Sequence, residues 1–430
     1  MPAENPRPGD YRHHDQRSDD YPVRGPGMTR SGDAPAEPVR GSLFEVLSTS
    51  LRLGLTSFGG PIAHLGYFRR EYVERRRWLD EDAYADLVAL CQSLPGPASS
   101  QLGIAIGTRR AGMIGGFVAW VGFTLPSAVA LVLFGLWTGP ADLASAGWVH
   151  GLKIAAVAVV AQAVWAMART LAPDLPRRAM AVAAAAAALL WPGPFIQVLI
   201  IGAGGLMGRI ALAPARRADA HAEPAAIPRR IGVLCLALFF GLLLGLPFLY
   251  AVTGDAGVGR FDGFYRAGAL VFGGGHVVLP LLHTTVVDSG WVGDDRFLAG
   301  YGAAQAIPGP LFTFAAYLGA VSSAPPAGWA GAVIALTAIF LPSFLVIFGT
   351  LPFWDELRGS LSFRRALSGT NAAVVGLLLA ALYTPLWTSA VRRPVDVLLV
   401  GLAVGLLVPA RLPPFVVVAV CAVGGQLVGP

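Results

Sequence analysis

The chain repeats one set of helix-breaking residues in two apolar halves. Residues 52–60 read R-L-G-L-T-S-F-G-G, and residues 266–274 read R-A-G-A-L-V-F-G-G, 214 positions later. Q-S-L-P-G-P, starting at Gln92, likewise returns as Q-A-I-P-G-P, starting at Gln305. More blocks return in the same order at offsets of 213 to 217, starting at Trp78, Thr124 and Ala155. A duplicated half with helix breaks at matching points is typical of secondary transporters.

The composition places the chain in a membrane. Of its 430 residues, 55% are hydrophobic and only 13% are charged, whereas soluble domains carry about 25% charged residues. Apolar stretches of about 20 residues recur, which is the length that crosses a bilayer core as a helix. Backbone groups in lipid must bond internally, and runs such as 179–190 lack the alternation of barrel strands. We therefore predict an all-α polytopic membrane protein.

The apolar segments define the expected organisation. We expect a disordered N-terminal tail over residues 1–40, a first repeat over 41–215, a linker with an extra membrane segment over 216–260 and a second repeat over 261–430. About 12 to 13 stretches have the length and polarity of membrane segments. They cover 43–67, 83–108, 112–138, 147–169, 178–192, 195–212, 231–252, 261–287, 296–320, 329–350, 364–387, 394–409 and 413–429.

Segment 231–252 has no counterpart before the first repeat, and it decides how the halves are related. If every segment crosses, an odd number of crossings separates the two repeat starts, and the halves are inverted. That arrangement puts basic residues such as Arg177 and Arg229 outside, against the positive-inside rule. If the Pro-Gly-Pro segments are re-entrant hairpins, those loops return inside, but the halves become parallel. We favour inverted repeats, because loop 69–77 is densely basic and its equivalent, 288–295, has no Arg or Lys.

Charge and cysteine content exclude several classes. The net charge of +6 is explained by basic loops that orient a membrane protein, so nucleic-acid binding is not expected. The three cysteines stand alone in apolar segments, which predicts neither a disulfide framework nor a metal site. No P-loop, nucleotide fingerprint, zinc-hydrolase motif or Ser-His-Asp spacing is present, so we expect neither a cofactor nor an enzyme.

The Pro-Gly-Pro breaks are the first candidate binding elements. Proline lacks an N–H and clashes with the preceding turn, and glycine loosens the backbone. The half-helix that follows presents free N–H groups and a positive dipole end, which suit an anion. A simple kink is the alternative, but two equivalent copies, each preceded by a glutamine, favour a site. The candidates are Gln92, Pro95, Gly96 and Pro97 in the first half and Gln305, Pro308, Gly309 and Pro310 in the second.

The Phe-Gly-Gly motifs, each with an arginine six residues upstream, are the second candidate elements. An arginine inside an apolar segment needs an acid, an anion or water, unless its side chain snorkels to the interface. Inversion would bring the two arginines to symmetric positions about a central site. Two guanidiniums and half-helix N–H groups would then suit a small dianion. These candidates are Arg52, Phe58, Gly59, Gly60, Arg266, Phe272, Gly273 and Gly274.

Proton coupling would require a buried titratable group, and few are present. His64 and His276 flank the glycine motifs but do not occupy equivalent positions, and a packed histidine is the alternative for both. Glu71 lies at a membrane edge, and Asp86 lies near the start of an interrupted segment. With His283, these residues are the coupling candidates.

The repeated motifs resemble those of the chromate ion transporter family in its long, two-domain form. The resemblance covers nearly all of residues 43–430. It rests on F-G-G-P at 58–61 with H-L-G-Y at 64–67, Q-S-L-P-G-P-A-S-S-Q at 92–101, F-G-G-G-H at 272–276, Q-A-I-P-G-P-L-F at 305–312 and N-A-A-V-V-G at 371–376.

The resemblance implies a protein of the bacterial inner membrane that exports chromate, driven by the proton motive force, and confers chromate resistance. Some relatives are thought to handle sulfate, and the expected partners are therefore chromate or sulfate, protons and the lipid bilayer, with a homodimer allowed. One departure concerns coupling. Members often carry acids just after the second glycine motif, where this chain has L-L-H-T-T at 281–285. If an acid there couples protons, His283 must substitute for it or the coupling differs.

Two other classes make different predictions. An intramembrane enzyme acting on lipid phosphate requires catalytic His, Asp or Lys residues clustered at one membrane face, and the sequence shows no such cluster. A non-transporting membrane scaffold gives no reason for duplicated helix breaks. The sequence therefore favours a transporter of a tetrahedral oxyanion.

Overall fold

The computed structural model describes residues 41–138, 147–191, 194–212, 227–272 and 278–429, where all regular structure is helical. The predicted tail over 1–40 and the candidates Gly273, Gly274 and His276 lie outside these ranges. The helices of the first half and the extra segment are α1 (Leu43–Thr56), α2 (Gly60–Phe68, continued by a π-helical stretch, Arg69–Arg75), α3 (Glu81–Ser93), α4 (Ala98–Trp137), α5 (Gly147–Leu171), α6 (Leu175–Leu190), α7 (Pro194–Ala211) and α8 (Arg229–Thr253).

The second half repeats this order of elements. Its helices are α9 (Ala256–Ala269), α10 (Val278–Val286), α11 (Asp294–Ala306), α12 (Phe314–Ala320, preceded by a 3-10 turn, Leu311–Thr313), α13 (Gly328–Thr350), α14 (Trp354–Gly359), α15 (Leu361–Ala381, continued through Leu382–Trp387 and Thr388–Ala390), α16 (Pro394–Leu407) and α17 (Pro414–Val428). The all-helical fold and the two homologous halves are thus confirmed.

The first Phe-Gly-Gly motif is the tip of a helical hairpin. Glu45, in the first turn of α1, accepts from Arg76 (3.5 Å), which follows the returning arm α2. At the other end, the His64 ring lies 3.2 Å from the Ser57 carbonyl oxygen. Gly59 closes the tip with φ +94°, a left-handed conformation that glycine adopts at little cost. The chain therefore returns to the face where α1 begins, which we call face one.

The first Pro-Gly-Pro break is the tip of a second hairpin on the same face. Arg110, at the end of the first arm of α4 (98–110), donates to Glu45 (3.2 Å) at face one. Helical geometry breaks at Ala111 and Gly112, and the chain turns back sharply. Gly115 then packs so closely on Gly107 that a Cβ on either residue would overlap the other's carbonyl. The second arm (112–137) runs away from face one.

The second half forms the same two hairpins at the opposite face. The second arm of α4, about 39 Å long at about 1.5 Å per residue, ends at Thr138, whose carbonyl accepts from Arg296 (3.2 Å) in the first turn of α11. His283 of α10 lies 3.0 Å from Asp294 at the start of α11. Arg260 of α9 donates to the carbonyl of Pro326, beyond α12. The hairpin ends of the second half therefore lie at face two, and the prediction of inverted repeats is confirmed.

In the part of the chain that the structure describes, eight of the thirteen predicted segments do not form a long spanning helix. Four double back as hairpins, and the other four, 178–192, 195–212, 394–409 and 413–429, form the shorter helices α6, α7, α16 and α17. Within the described ranges, five helices are long and apolar enough to span a membrane: Ala98–Trp137 (through its second arm), Gly147–Leu171, Arg229–Thr253, Gly328–Leu357 and Leu361–Ala390. Treating segments 43–67, 83–108, 261–287 and 296–320 as full crossings is therefore wrong. Re-entrant hairpins also leave the halves inverted, because both hairpins of each half double back and α4, α5 and α8 still cross between the repeat starts.

This topology removes the conflict with the positive-inside rule. Arg177 and Arg178 follow α5, and Arg229 and Arg230 begin α8, so all four lie at face one with the basic loop 69–77. Face two carries fewer basic residues, among them Arg260, Arg296, Arg392 and Arg393. Because cytoplasmic loops hold an excess of Lys and Arg, we infer that face one is cytoplasmic.

The halves interlock through exchanged helices. The α6–α7 hairpin of the first half packs on α15 of the second, where Gly204 approaches Gly369 closely. In return, α17 packs on α5, where Gly151 lies against the backbone of Cys421. Small residues allow such backbone contact between membrane helices. The exchanged helices therefore pack the two halves together around the hairpin tips.

The glycine of each Arg-x-Gly sequence has a packing role. A Cβ on Gly54 would overlap the carbonyls of Gly122 and Phe123 in α4, and a Cβ on Gly268 would overlap the carbonyl of Ile339 in α13. The two contacts are equivalent in the repeat. Each hairpin is thus seated directly on the long helix of its own half, and this contact fixes where the neighbouring arginine lies.

The hairpin topology predicts which positions are accessible from outside the cell. On a background without native cysteines, Asp82→Cys and Met113→Cys should both resist a membrane-impermeant maleimide in intact cells, because both lie at face one. Thr253→Cys, at face two, should react. Labelling of Met113→Cys but not Asp82→Cys would mean that segment 83–108 crosses the membrane and would contradict the hairpin.

Candidate functional site

The two Pro-Gly-Pro breaks dock on the hairpin tips of the opposite half. The Gly96 N–H donates to the Val271 carbonyl (2.7 Å), and the Gly309 N–H donates to the Ser57 carbonyl (3.0 Å). Val271 and Ser57 are equivalent positions, each directly before the phenylalanine of a Phe-Gly-Gly motif. The structure thus brings each Pro-Gly-Pro candidate group to the Phe-Gly-Gly region of the other half.

A serine from the opposite long helix completes each docking site. A Cβ built on Gly96 would lie 3.0 Å from Ser343 Oγ, and one built on Gly309 would lie 2.7 Å from Ser127 Oγ. Gly96 and Gly309 have φ values of +125° and +105°, which other residues adopt only with strain. Ser127 and Ser343 belong to the repeated Leu-Pro-Ser block, whose contact with the breaks the sequence did not reveal.

Open hydrogen-bond donors surround the breaks. The N-cap of α4 is Pro97, and no side chain caps this helix start, so its first N–H groups lack intrahelical acceptors. In the described structure, the hydroxyls of Ser57, Ser100 and Ser343 are buried without a hydrogen-bond partner. Neutral donors held in place away from bulk water can bind a tetrahedral anion without a costly buried charge.

The glutamines near the breaks differ between the halves. Gln101 is fully buried, and its Nε2 donates to the Pro95 carbonyl (2.6 Å), which the first helix break left free. Its equivalent is Phe314, so repeat comparison alone does not single out Gln101. Gln92 is exposed, whereas Gln305 is half-buried and its Nε2 has no partner among the described residues.

Arg52 lies in an ion-pair network that opens at face one. Its Nη1 is 3.8 Å from Glu71 Oε2 on the returning arm, and more than half of its side chain is exposed. Glu71 is buried and also accepts from Arg75 (3.1 Å) and Arg76 (2.8 Å). The acid is therefore shared among three guanidiniums, and its link to Arg52 is the longest of the three.

Arg266 lies in a cavity that opens at face two. Its Nη2 forms an ion pair with Asp262 Oδ2 (2.6 Å), one turn earlier on α9. The cavity has a volume of about 200 Å³ and is also lined by Gln197, Thr284, Thr285 and Trp291. Asp262 is not among the residues predicted from the repeat, although its four-residue spacing from Arg266 is the usual signature of a helical ion pair. Arg52 and Arg266 thus belong to separate ion pairs, each with an acid of its own half.

The remaining candidates occupy distinct places. His64 is buried beside the Ser57 carbonyl that also receives Gly309, and its ring meets Phe123 edge-on. Asp86 is buried at face one and accepts from Trp354 (3.1 Å). His283 lies at face two between Asp294 and Asp288. Phe58 contacts Phe415 at a ring distance of 4.8 Å, and Phe272 packs against the main core.

The arrangement defines a class of protein. Inverted repeats, exchanged helices and broken mid-membrane backbone at the repeat interface are the features of a secondary transporter. In the described part of the chain, no three His, Cys, Asp or Glu side chains gather as they would around a metal ion. The arginines, serines and free N–H groups instead suit an anionic substrate.

Comparison with known proteins identifies the family. The chromate transporter family model matches residues 44–209 and 258–426, and the chain belongs to that family. A chromate transport protein of Pseudomonas aeruginosa is 28% identical over 419 residues, covering 94% of this chain and 97% of the relative. A probable chromate transport protein of Synechococcus elongatus is 28% identical, covering 79% and 84%.

A chromate transport protein of Cupriavidus metallidurans is 26% identical, covering 83% of this chain and 85% of the relative. No solved structure matches the chain significantly. The apolar helices and the bacterial relatives make this a multi-pass protein of the bacterial inner membrane and a transporter of the chromate class.

The docking of the breaks predicts a position-specific effect of side chains. Gly96→Ala and Gly309→Ala should each destabilise the protein by about 1–3 kcal/mol, because a left-handed conformation is strained for alanine. Each should also reduce transport, because the added Cβ pushes on Gln101 and Ser343 or on Ser127. Thermal unfolding in detergent and vesicle flux measure both effects.

Gly401→Ala is the matched control, since Gly401 lies within α16 with open space around it. It should leave both the unfolding temperature and the flux near their normal values. If Gly96→Ala behaved like this control, the break would not be locked against the opposite half.

Proposed function

We propose that the protein is a secondary carrier that exports chromate from the cytoplasm, driven by the proton motive force, and thereby confers chromate resistance. The observation that carries this proposal is the reciprocal docking of the two Pro-Gly-Pro breaks on the opposite hairpin tips. Unpaired hydroxyls of Ser100 and Ser343 at the first break, and of Ser57 beside the second, support an anion site at this interface of inverted repeats. That interface is where such carriers bind their substrate and change access.

The substrate path has three binding positions, one at each face and one at mid-membrane. Arg52, exposed at face one, attracts the dianion from the cytoplasm. The N–H groups that begin α4 and the serine hydroxyls at the breaks, with Gln92 and Gln305 nearby, replace part of its hydration at mid-membrane. Arg266, in the cavity at face two, receives it on the outer side. The two arginines thus act at opposite ends of one path, and each is held in the meantime by an acid of its own half.

The membrane potential favours the proposed direction. Moving one elementary charge across the membrane is worth about 2.3 kcal/mol per 100 mV, and a dianion gains twice that on leaving a cell whose interior is negative. The basic residues at face one raise the local concentration of anions on the cytoplasmic side. Both effects support export rather than uptake.

Sulfate is the second candidate substrate. The donors at the breaks are hydroxyl and backbone N–H groups, which recognise the oxygens of a tetrahedral dianion and carry no feature specific to chromium. A carrier of this design therefore binds both anions to some extent, and their relative transport rates decide the physiological substrate.

Flux in everted membrane vesicles tests the proposal. Radiolabelled chromate should accumulate in vesicles that contain the protein, and accumulation should fall when the proton gradient is collapsed. Excess sulfate should compete, because the hydroxyl and N–H donors recognise either tetrahedral dianion. Arg52→Gln and Arg266→Gln should each reduce the flux at least tenfold, because each removes the charge from one end of the path.

Arg229→Gln is the control for these variants, because Arg229 forms an exposed surface ion pair with Glu356. It should transport normally at equal membrane expression. Chromate flux that persisted in both Arg52→Gln and Arg266→Gln would contradict the assigned path, and flux of sulfate but not chromate would reverse the choice of substrate.

A further inference from the structure

The two halves differ in how they hold their arginines, and this difference singles out the cavity at face two. In the first half, the partner acid is Glu71 on the returning arm, and three arginines share it. The equivalent of Glu71 in the second half is Thr285. The acid instead stands at Asp262, where the first half has Ser48, and Arg266 is the guanidinium that it binds.

The Arg266–Asp262 pair is incompletely satisfied. Asp262 is almost fully buried, yet its Oδ1 has no hydrogen-bond partner among the described residues, and neither does Nε of Arg266. A buried carboxylate that rests on one partner loses most of its stabilisation when that partner is taken away. Another anion that binds Arg266 can therefore replace Asp262 as its partner.

The cavity beside the pair has a polar wall. Thr284, Thr285 and Ser289 line it with hydroxyls that donate to the carbonyls of Pro280 (2.8 Å), Leu281 (2.8 Å) and Thr285 (2.6 Å), and the Gln197 amide donates to the Thr284 hydroxyl (3.1 Å). Arg266 is about one quarter exposed, so its guanidinium can be reached from the cavity. A tetrahedral dianion there would accept from Arg266 in a bidentate manner, as carboxylates and phosphates do.

The other charged groups around Asp262 already have partners. Arg260, on the same helix, donates to the carbonyls of Ala324 and Pro326 and stacks on Trp291. His283 on α10 is held by Asp294 and Asp288.

The remaining neighbours carry no charge near the pair. Helix α8 contributes Tyr250 to the cavity wall, and its two arginines lie in its first turn at the other face. Helix α13 has no charged residue, and Arg209 of α7 lies in that helix's last turn at face one. A dianion that enters the cavity therefore competes with Asp262 for Arg266.

We propose that this cavity is a proton-linked oxyanion site, in which a dianion that binds Arg266 displaces the Asp262 carboxylate and the freed carboxylate takes one proton from water at face two. When the dianion leaves, the ion pair re-forms and the proton returns to water. No covalent bond forms or breaks. Because the proton is taken up and returned at face two, this step makes anion binding depend on the pH on that side and moves no proton across the membrane. It deepens the proposed export function by naming the residue that links protonation to anion binding, and it rests on that function only for the direction of transport.

Calorimetry on the purified full-length protein measures the linked proton directly. Sulfate, which is fully dianionic at neutral and mildly acidic pH, is titrated there in two buffers of different ionisation enthalpy. The normal protein should take up about one proton per anion bound at the cavity. Asp262→Asn should bind the anion about tenfold more tightly with no such uptake, because the competing carboxylate is gone. Arg266→Gln should lose binding at this site.

Two further variants separate a specific role from a folding defect. Asp262→Ser combined with Thr285→Glu moves the acid to the position that Glu71 occupies in the first half, and it should restore proton uptake. Glu356→Gln, at an exposed ion pair, should behave normally. Either of two results would overturn the inference. In one, the Asp262→Asn protein takes up a proton as the normal protein does. In the other, the double variant folds but shows no proton uptake.

The outcome can be told apart from failure of the proposed function. If everted vesicles show no chromate export but proton uptake still depends on Asp262, the site stands and the direction or substrate is wrong. If chromate is exported but uptake is unaffected by Asp262→Asn, export stands and the linkage is overturned.

Discussion

Two backbone hydrogen bonds, from Gly96 to the Val271 carbonyl and from Gly309 to the Ser57 carbonyl, are the constraint on which the rest of the structure depends. Each joins a broken helix of one half to a hairpin tip of the other, so neither half can place its own break alone. The left-handed glycines, the Leu-Pro-Ser serines and the exchanged helices all serve to make these contacts possible. The extra helix α8 follows from the same constraint, because it supplies the odd crossing that inverts the second half.

The pseudo-symmetry is close in the backbone and broken in the charges. Equivalent glycines make equivalent close approaches, yet Glu71 has become Thr285, and the salt bridge from Arg69 to Glu81 has become the pair of His283 and Asp294. The half that opens at face one relies on arginine, which stays protonated at any physiological pH. The half that opens at face two instead sets one isolated buried carboxylate, Asp262, against its arginine.

The sequence predicted much of the fold because residues at equivalent positions of a duplicated chain occupy equivalent places in its two halves. Repeated breaks, arginines and glycines indicated the class, the two halves and their inversion, and the candidate motifs of opposite halves do meet. The number of crossings was wrong, because a segment of about 25 residues with a central break can span the membrane or double back. Only contacts such as Arg110 with Glu45 distinguish the two. Asp262 and Gln101 were missed because neither has a counterpart in the repeat, and both owe their importance to partners fixed by the fold.

The central claim is that the two breaks together form the oxyanion path between inverted halves. A cryo-electron microscopy map of the chromate-bound protein in lipid nanodiscs tests this most directly. The account predicts density for a tetrahedral anion between the Pro-Gly-Pro breaks or at Arg266, with Gly96 and Gly309 still bonded to Val271 and Ser57 of the opposite halves. Chromate bound within a single repeat, away from both breaks and from Arg266, would contradict it.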